Sequence, residues 1–514
     1  MPRQGVAAVG AEHQGTQPQA REPLPWSIEE CNRIADAYCA HRPIHCPTCA
    51  AALLARELGS DKPGAVTIGF ACPNCRVGVT HQLGRLDPRD FIRPPYVKCP
   101  SCGSAEFGVL MVHRDNFTRR CRVRECWHTA SYVLPRLKKT VIYLDQHLIS
   151  DMMKALHPAT EPERRARAAY ARGVFEVLHR AVKLQIVICP DSYIHAKESM
   201  VTPHRKDLER MYEQLSCGVS FSEVWDIKVE QVVEHARNWH RGDPNTPVKL
   251  AAEDVVEGDL HGWHDSIMIG AGHEPDASAV TLVRTRRDSI AATLTPAYQQ
   301  WVAHGGSFDD YRDDMIREFP RGVAKEFNAR KQWMRGVQAG IMRPTAEDFE
   351  GPLCMEYLNG IAQALLDEGL ELRAAQERAM EYFARGDHSS LPFLHIESSM
   401  WAFLAWQSAH GGRKKKLGRG TSNDLSAISH FLPYCDAMYV DNEMRGVTAD
   451  HRVAQQLGSY GTRMFSRKNC DEFVAYVEGL VADAPAEHFA LVRRVYGENC
   501  GEPFTQLYDR RTGS

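Results

Sequence analysis

Eight cysteines between positions 46 and 126 constrain this chain more than any other feature. They fall in four pairs, Cys46/Cys49, Cys72/Cys75, Cys99/Cys102 and Cys121/Cys126. Three are written CPTC, CPNC and CPSC, and the fourth is the wider CRVREC. Two residues between cysteines let both sulfurs turn toward one point, with backbone amides facing the thiolates. Two such knuckles complete the tetrahedral shell of a structural zinc ion. Paired in order along the chain, the knuckles leave 22 and 18 residues between them, enough for a hairpin to fold back. The expectation is two zinc ribbons in tandem, with all eight cysteines as ligands. Disulfides are the alternative, and they need an oxidising compartment. The segment MPRQGVAAVGAEHQGTQPQAREPLPW lacks the apolar core of a secretory signal. Four thiolates leave no open coordination position, so the zinc reads as scaffold. The remaining eight of the 16 cysteines are scattered and read as small core residues.

Charge gives the same region a second property. Residues 1–140 carry 19 Lys+Arg against 12 Asp+Glu, whereas the rest of the chain carries 43 against 53. The excess peaks at RRCRVR, residues 119–124, with Phe117 before it and Trp127 and His128 after it. Arginines interleaved with aromatics neutralise phosphates and stack on unpaired bases. Arg119, Arg120, Arg122 and Arg124 are therefore candidate nucleic-acid contacts, the alternative being a solvated hairpin that only caps the metal site. Over the whole 514 residues the net charge is -3, which excludes a uniformly basic nucleic-acid coat. No apolar run reaches the roughly 18 residues of a membrane span, so no membrane partner is expected and the expected location is the cytoplasm.

At residue 140 the character changes. TVIYLD (140–145) is a β-branched apolar run ending in a carboxylate, and LQIVIC (184–189) is a second run, closed by Pro190. A helical stretch lies between them, and a helix carrying His195 and Glu198 follows, capped by Asp191 or Ser192. Strand, helix, strand, helix is the grammar of a parallel sheet. Residues 200–390 read as mostly helical, with capped segments near Ser307 and Thr345. Pro392 opens another helix, helix DLSAISHFL begins at Asp424, and strands DAMYVD (436–441) and TRMFS (462–466) precede a helix near 470–482. Ser27-Ile-Glu-Glu30 is a capping box opening a helix before the ribbons, and residues 1–25 read as a disordered tail.

Four acids thus occupy comparable places. Asp145 and Asp441 end strands, Glu198 lies early in a helix after a strand, and Asp424 begins a helix. In an open parallel sheet the carboxyl ends of the strands converge on one edge, where ligands bind. Carboxylates crowded there repel, and a divalent cation with oxygen ligands, Mg²⁺ or Mn²⁺, relieves the repulsion. Each acid alone reads equally well as a cap or a solvated side chain. The motifs of P-loop ATPases, zincin proteases, serine hydrolases and dinucleotide binders are absent.

The blocks TVIYLDQHLIS, VICPDSYIHAKES and NDLSAISHFLPYCDAMYVDNEM resemble the signature blocks of PIN-like nuclease domains, over about residues 139–205 and 392–480. The resemblance implies an α/β class, a three-layer α/β/α domain around a parallel sheet, with an acidic pocket that takes Mg²⁺ or Mn²⁺ and cleaves RNA. Carried over by position, its metal-binding and catalytic acids are Asp145, Glu198, Asp424 and Asp441, with Asp436 as a second candidate in the last block, either a ligand or a structural partner. Gln146 and His147 stand where the family often has a small polar residue. The implied organisation is a tail (1–25), a helix plus tandem ribbons (26–135), a first PIN-like part (136–205), a large helical insertion (206–391) and a second PIN-like part (392–514). The expected function is a metal-dependent nuclease, an endoribonuclease with DNA left open, in which the ribbons bind nucleic acid. The basic run Arg413, Lys414, Lys415, Lys416 and Arg419 would hold the backbone near the cut, or is a solvated loop. The other reading is a non-catalytic adaptor for nucleic acid or protein with an inactive PIN-like fold, the helical insertion being its protein-binding surface.

Overall fold

A computed structural model of the chain describes residues 6–8, 26–39, 43–59, 65–84, 92–157, 160–243, 246–248, 251–265, isolated positions between 278 and 300, and residues 303–343, 352–411 and 420–501. The tail expected at 1–25, apart from 6–8, the cap at Thr345 and the basic run 413–419 lie outside these. The described chain divides into two compact units, one of residues 1–110 with 119–130 and one of residues 111–118 with 131–514.

The first unit is built on short antiparallel strands. Helix α1 (Ile28–Cys39) opens on the Ser27 box, where the Ser27 amide donates to Glu30 Oε2 (2.8 Å) and the Glu30 amide to Ser27 Oγ (3.2 Å). A four-stranded sheet follows, ordered β1-β4-β3-β2, of β1 (Val6–Ala8), β2 (Leu54–Gly59), β3 (Ala65–Ala71) and β4 (Gly78–Gly84). Its small core joins Trp26, Cys31 and Ile34 to Phe70, Val79 and the buried cysteines Cys46 and Cys72. A core this small needs a staple, which is what a metal provides. A second sheet runs in the order β5-β6-β7-β8: β5 (Arg93–Val97), β6 (Phe107–His113), β7 (Asn116–Cys121) and β8 (Thr129–Val133). Gly108 has no substitute here, because a Cβ on it would lie 2.4 Å from Ile92 Cγ2 and 2.7 Å from the Arg93 carbonyl.

The second unit is mixed α/β around a parallel sheet. β9 (Thr140–Leu144), β10 (Val187–Ile188), β14 (Ala437–Tyr439) and β15 (Arg463–Phe465) are ordered β10-β9-β14-β15, and every pair is parallel. Only Val187 and Ile188 of the run 184–189 pair. Alternation along the strands splits the side chains cleanly. Ile142, Leu144, Val187, Ala437, Tyr439 and Phe465 pack on one face, against α2 (Gln146–Leu156), α4 (Tyr170–Lys183), α6 (Arg205–Ser216) and α15 (Cys470–Ala482). Val141, Tyr143, Ile188, Met438 and Val440 pack on the other, against α11 (Pro392–Ala409) and α12 (Thr421–Phe431). Burial on both faces is why these strands read as continuous apolar runs rather than alternating ones.

The short helices α3 (Pro162–Arg167) and α5 (Tyr193–Met200) lie on the connections of this half, α5 capped by Ser192 Oγ. Between the two halves of the sheet the chain passes through helices α7 (Val224–His240), α8 (Phe308–Gln338), α9 (Leu353–Asp367) and α10 (Leu372–Arg385), which share their own apolar cluster with Phe393 and Leu394. Gln231 ties that cluster to the sheet layer, donating to Tyr434 OH (2.8 Å) and accepting from the Phe393 amide (2.8 Å). A three-stranded sheet with no counterpart among the expected strands, β11 (Asp191–Ser192), β12 (Ser220–Phe221) and β13 (Val256–Glu257), also lies here. The chain continues through α13 (Asn442–Ala449) and α14 (His451–Leu457) and ends, as described, with α16 (Ala486–Tyr496).

Candidate functional site

The eight cysteines form two groups of four, Cys46/Cys49/Cys72/Cys75 and Cys99/Cys102/Cys121/Cys126, each with its sulfurs mutually within 4.8 Å. A tetrahedral zinc shell with Zn–S near 2.3 Å has sulfur–sulfur edges of about 3.8 Å. Cross-knuckle separations are 4.0 Å for Cys46 to Cys75 and 3.5 Å for Cys49 to Cys72, then 3.6 Å for Cys99 to Cys126 and 3.7 Å for Cys102 to Cys121. These match the edges and are far from the roughly 2.05 Å of a disulfide. Both groups can hold zinc.

The knuckles share one backbone device. The residue after each second cysteine is left-handed: Ala50 (φ 57°), Arg76 (57°), Gly103 (74°) and Trp127 (49°). That conformation aims amides at the sulfurs, as where the Cys75 amide donates to Cys72 Sγ (3.3 Å). Burial opposes ionisation of Cys46, yet the amides of Cys49 and Thr48 bring it down to about 7. The His128 amide does the same for Cys126, to about 7. Sharing with Cys49 pushes Cys75 up to about 12, and burial pushes Cys121 to about 12. Four neighbouring thiolates are unstable without a dication between them.

The basic cluster divides. Arg119 is a correction: it is buried, and its Nη1 donates to the carbonyls of Pro95 (2.6 Å) and Phe107 (3.0 Å). It braces the ribbon and cannot meet a phosphate. On β7 the residues alternate, with Phe117, Arg119 and Cys121 inward. A zinc-ligating Cys121 already implied an inward Arg119 two residues earlier. Phe117 is fully buried as well, 5.1 Å from the Tyr132 ring. Arg120 lies 3.8 Å over the exposed Trp127 ring, Arg122 donates to Tyr96 OH (2.9 Å), and Arg124 is exposed.

The carboxylates gather in the second unit, at the carboxyl ends of β9 and β14. Asp145 follows β9 and caps α2; its carboxylate accepts from the His147 amide (3.4 Å) and from His147 Nδ1 (2.9 Å). Asp441 follows β14 and caps α13 through the Met444 amide (2.6 Å). Glu198, on α5, accepts from Asn423 Nδ2 (2.8 Å). α12 begins at Thr421, so Asp424 stands inside its first turn and does not cap it. Tyr143, Asp145, Glu198, Asn423 and Asp424 wall a cavity of about 10 Å³, room for one water-sized particle. Asp441 is not on its wall, but its charge acts on Asp424.

Electrostatics follow from this crowding. Burial, then the charges of Asp145, Asp441 and Glu198, push Asp424 up to about 9. Burial also works against Asp145, but the hydrogen bond and charge of His147 outweigh it and hold that carboxyl below its usual range. The same bond, against burial, raises His147. The cluster thus relieves its repulsion by keeping a proton on Asp424. Among the described residues only the cysteine groups bring three ligand atoms within 4.8 Å of one another, so the carboxylates surround a space rather than meet at a point.

Asp436 is the structural partner and not a ligand. Its Oδ2 accepts from the Val141 amide (2.8 Å), and its own amide donates to the Val141 carbonyl (2.9 Å), at the amino end of β14 and so the opposite end of the strand from Asp441. It is a clamp between strands. His195 is buried with its ring stacked between Tyr143 (5.1 Å) and Tyr212 (4.6 Å), a core position beneath the pocket. His147, bonded to Asp145, is not among the candidate site residues of the sequence, whereas Asn423, a candidate contact of metal-bound water or a helix cap, bonds Glu198. An Asp-x-His sequence at a strand end was the available signal for the first. The chain matches no family model, no curated protein and no solved structure. Among the described residues no helix is long and apolar enough to cross a membrane.

Proposed function

We propose that the chain is a metal-dependent nuclease, an endoribonuclease with a PIN-like domain split by a helical insertion, whose ribbons grip nucleic acid. The observation that carries this reading is the gathering of Asp145, Glu198 and Asp424 around an ion-sized cavity at the carboxyl edge of a parallel sheet, with Asp441 close enough for its charge to act on Asp424. Buried carboxylates with one forced into its protonated form make a site that a hard dication would occupy by displacing the proton. Asp145, Glu198, Asp424 and Asp441 would hold Mg²⁺ or Mn²⁺, which supplies Lewis acidity for in-line hydrolysis and leaves a 5′ phosphate. His147 fixes the rotamer of Asp145, and Asn423 that of Glu198. Tyr143 and Met444 keep bulk water from the pocket floor. RNA rather than DNA follows from the resemblance of the three sequence blocks. On the ribbon, Trp127 with Arg120, Arg122 and Arg124 offers a stacking face and cations for single-stranded substrate.

A non-catalytic adaptor is favoured by one observation, the narrowness of the cavity, which admits no phosphate as it stands. Cleavage of end-labelled RNA with Mn²⁺ decides between them. The nuclease reading expects cleavage by the wild type that is lost in Asp145→Asn and in Asp424→Asn. Equal cleavage by all three sinks it, and RNA binding without cleavage by the wild type favours the adaptor.

A further inference from the structure

The ion-sized cavity forces a question about where a polynucleotide would lie. A chain bound for cutting must run outside that cavity, along the same edge of the sheet. We propose that the open cleft running from Tyr170, Arg467 and Lys468 at that edge toward Arg180, near the start of β10, holds the phosphate backbone of single-stranded RNA, an assignment that rests on the nuclease reading above.

Position is the first argument. β15 ends at Phe465, and Arg467 and Lys468 follow at once, so they stand at the carboxyl edge of the sheet, as Asp145 and Asp441 do. The Lys468 amide donates to Asn442 Oδ1 (3.3 Å), and Asn442 is the neighbour of Asp441. On the opposite wall, Tyr170 OH donates to Asp151 Oδ2 (2.9 Å), on the helix that Asp145 caps. Each wall is therefore one hydrogen bond from an element that carries a pocket acid.

Size and charge are the second. The cleft has a volume of about 780 Å³, enough for a nucleotide or two and far more than the carboxylate cavity offers. Among the described residues no carboxylate pairs with Arg180, Arg467 or Lys468. The Arg467 guanidinium is steadied by neutral partners instead, 4.7 Å over the Tyr170 ring and donating to the Arg167 carbonyl (3.2 Å), so its charge is undiminished. Two acids stand on the wall: Glu176 is taken by Arg172 (3.2 Å), and Asp471 is exposed in the first turn of α15, leaving, among the described residues, three cations against one unpaired carboxylate. Unpaired cations beside an aromatic ring are the components of a single-strand groove, in which phosphates find charge and bases find a stacking face. A free nucleotide offers the same phosphate chemistry, and the experiment separates the two.

The test uses the full-length, zinc-loaded chain carrying Asp145→Asn, so that bound RNA stays intact. Binding of a labelled single-stranded RNA is followed by fluorescence anisotropy across a salt series, with and without Arg467→Ala/Lys468→Ala, and separately with Arg180→Ala. Each lost phosphate contact lowers the slope of log K against log salt by about 0.7, so the double variant should lose about 1.4. Arg373→Ala, on the exposed face of α10, should leave the slope unchanged, and unaltered melting temperatures identify variants that fold. An unchanged slope in both Arg467→Ala/Lys468→Ala and Arg180→Ala overturns the assignment. So does Arg467-dependent binding of AMP without any change in the RNA slope. Cleavage by protein with Asp145 restored is read separately. If it depends on Asp145 while the slope does not move, the cleft assignment falls alone. If the slope moves but no cleavage occurs, the cleft stands and the nuclease reading falls.

Discussion

Replacing Asp424 by Asn should make the Mg²⁺- and Mn²⁺-free protein more stable, and increasingly so as pH rises. The sign comes from the proton that the folded pocket keeps on this carboxyl. In the unfolded chain Asp424 releases its proton near 3.8, and in the folded chain near about 9. Below pH 4 both states are protonated and the residue is neutral in its effect. Between those values the folded state must either keep a proton that solution would take or bear a buried charge, so its disadvantage grows with pH and is complete above about 9. At pH 7 about three units separate ambient pH from the unfolded value, a ceiling of about 4 kcal/mol at 1.36 kcal/mol per unit. Relaxation and water entry reduce what is realised, and about 1–2 kcal/mol is the expected gain, or roughly 2–5 °C in the midpoint. The assay is thermal unfolding by circular dichroism in buffer freed of Mg²⁺ and Mn²⁺ with zinc retained, at pH 5.5 and pH 8.5. The variant should melt above the wild type at both, with the larger margin at pH 8.5. Added Mn²⁺ should close the gap, because only the wild type gains binding energy from it. A variant less stable than wild type at pH 8.5, or a margin independent of pH, would falsify this account of the pocket.

The other expectations are simpler to check. Elemental analysis and native mass spectrometry should find two zinc ions per chain, with Cys49→Ala and Cys102→Ala each losing one, and acid should release both because zinc-binding thiolates must be deprotonated. Arg119→Met should destabilise the second ribbon by about 1–3 kcal/mol, since two buried carbonyls lose their donor. Trp127→Ala should leave the melting temperature in place while weakening single-strand RNA binding by about 1–3 kcal/mol. Asp436→Ala should cost about 1–2 kcal/mol of stability by freeing the Val141 amide, with Mn²⁺ affinity intact. Asp441→Asn should reverse that pattern, which an isotherm for Mn²⁺ reads directly.

What could be read in advance was whatever is encoded locally. A CPxC knuckle is a four-residue device, and its consequence for sulfur placement needs no distant partner. The apolar runs 141–144 and 437–440, four residues each and closed by Asp, likewise read as buried strands. Errors arose where direction mattered. Arg119 lies in an arginine run that reads as a cationic face, but the parity of its strand turns it inward with Cys121. Asp436 and Asp441 flank the same strand, and only the carboxyl end faces the pocket, a distinction available from the sense of a parallel strand. Other features had no local signal. The bond from Asn423 to Glu198 spans 225 residues, and the pairs of β11, β12 and β13 hold two residues each, too few for any periodicity. Asp424 was placed at a helix start because Asp favours caps, but the helix begins three residues earlier and carries it into the first turn.

The sheet that bears the acids is stitched across the length of the chain: Val141 on β9 meets Asp436, 295 residues later. During synthesis at 5–20 residues per second, that gap corresponds to about 15–60 s in which β9 waits with one edge unpaired. Each ribbon, by contrast, closes on ligands fewer than 30 residues apart and can take its metal while the ribosome is still translating α4. The order of emergence therefore separates the cysteine sites from the carboxylate pocket in time. The ribbon cysteines emerge about 300 residues before Asp424 and Asp441, so the acid pocket is assembled long after the ribbons can close. Under the proposed nuclease reading, such late completion spares the message that encodes the chain.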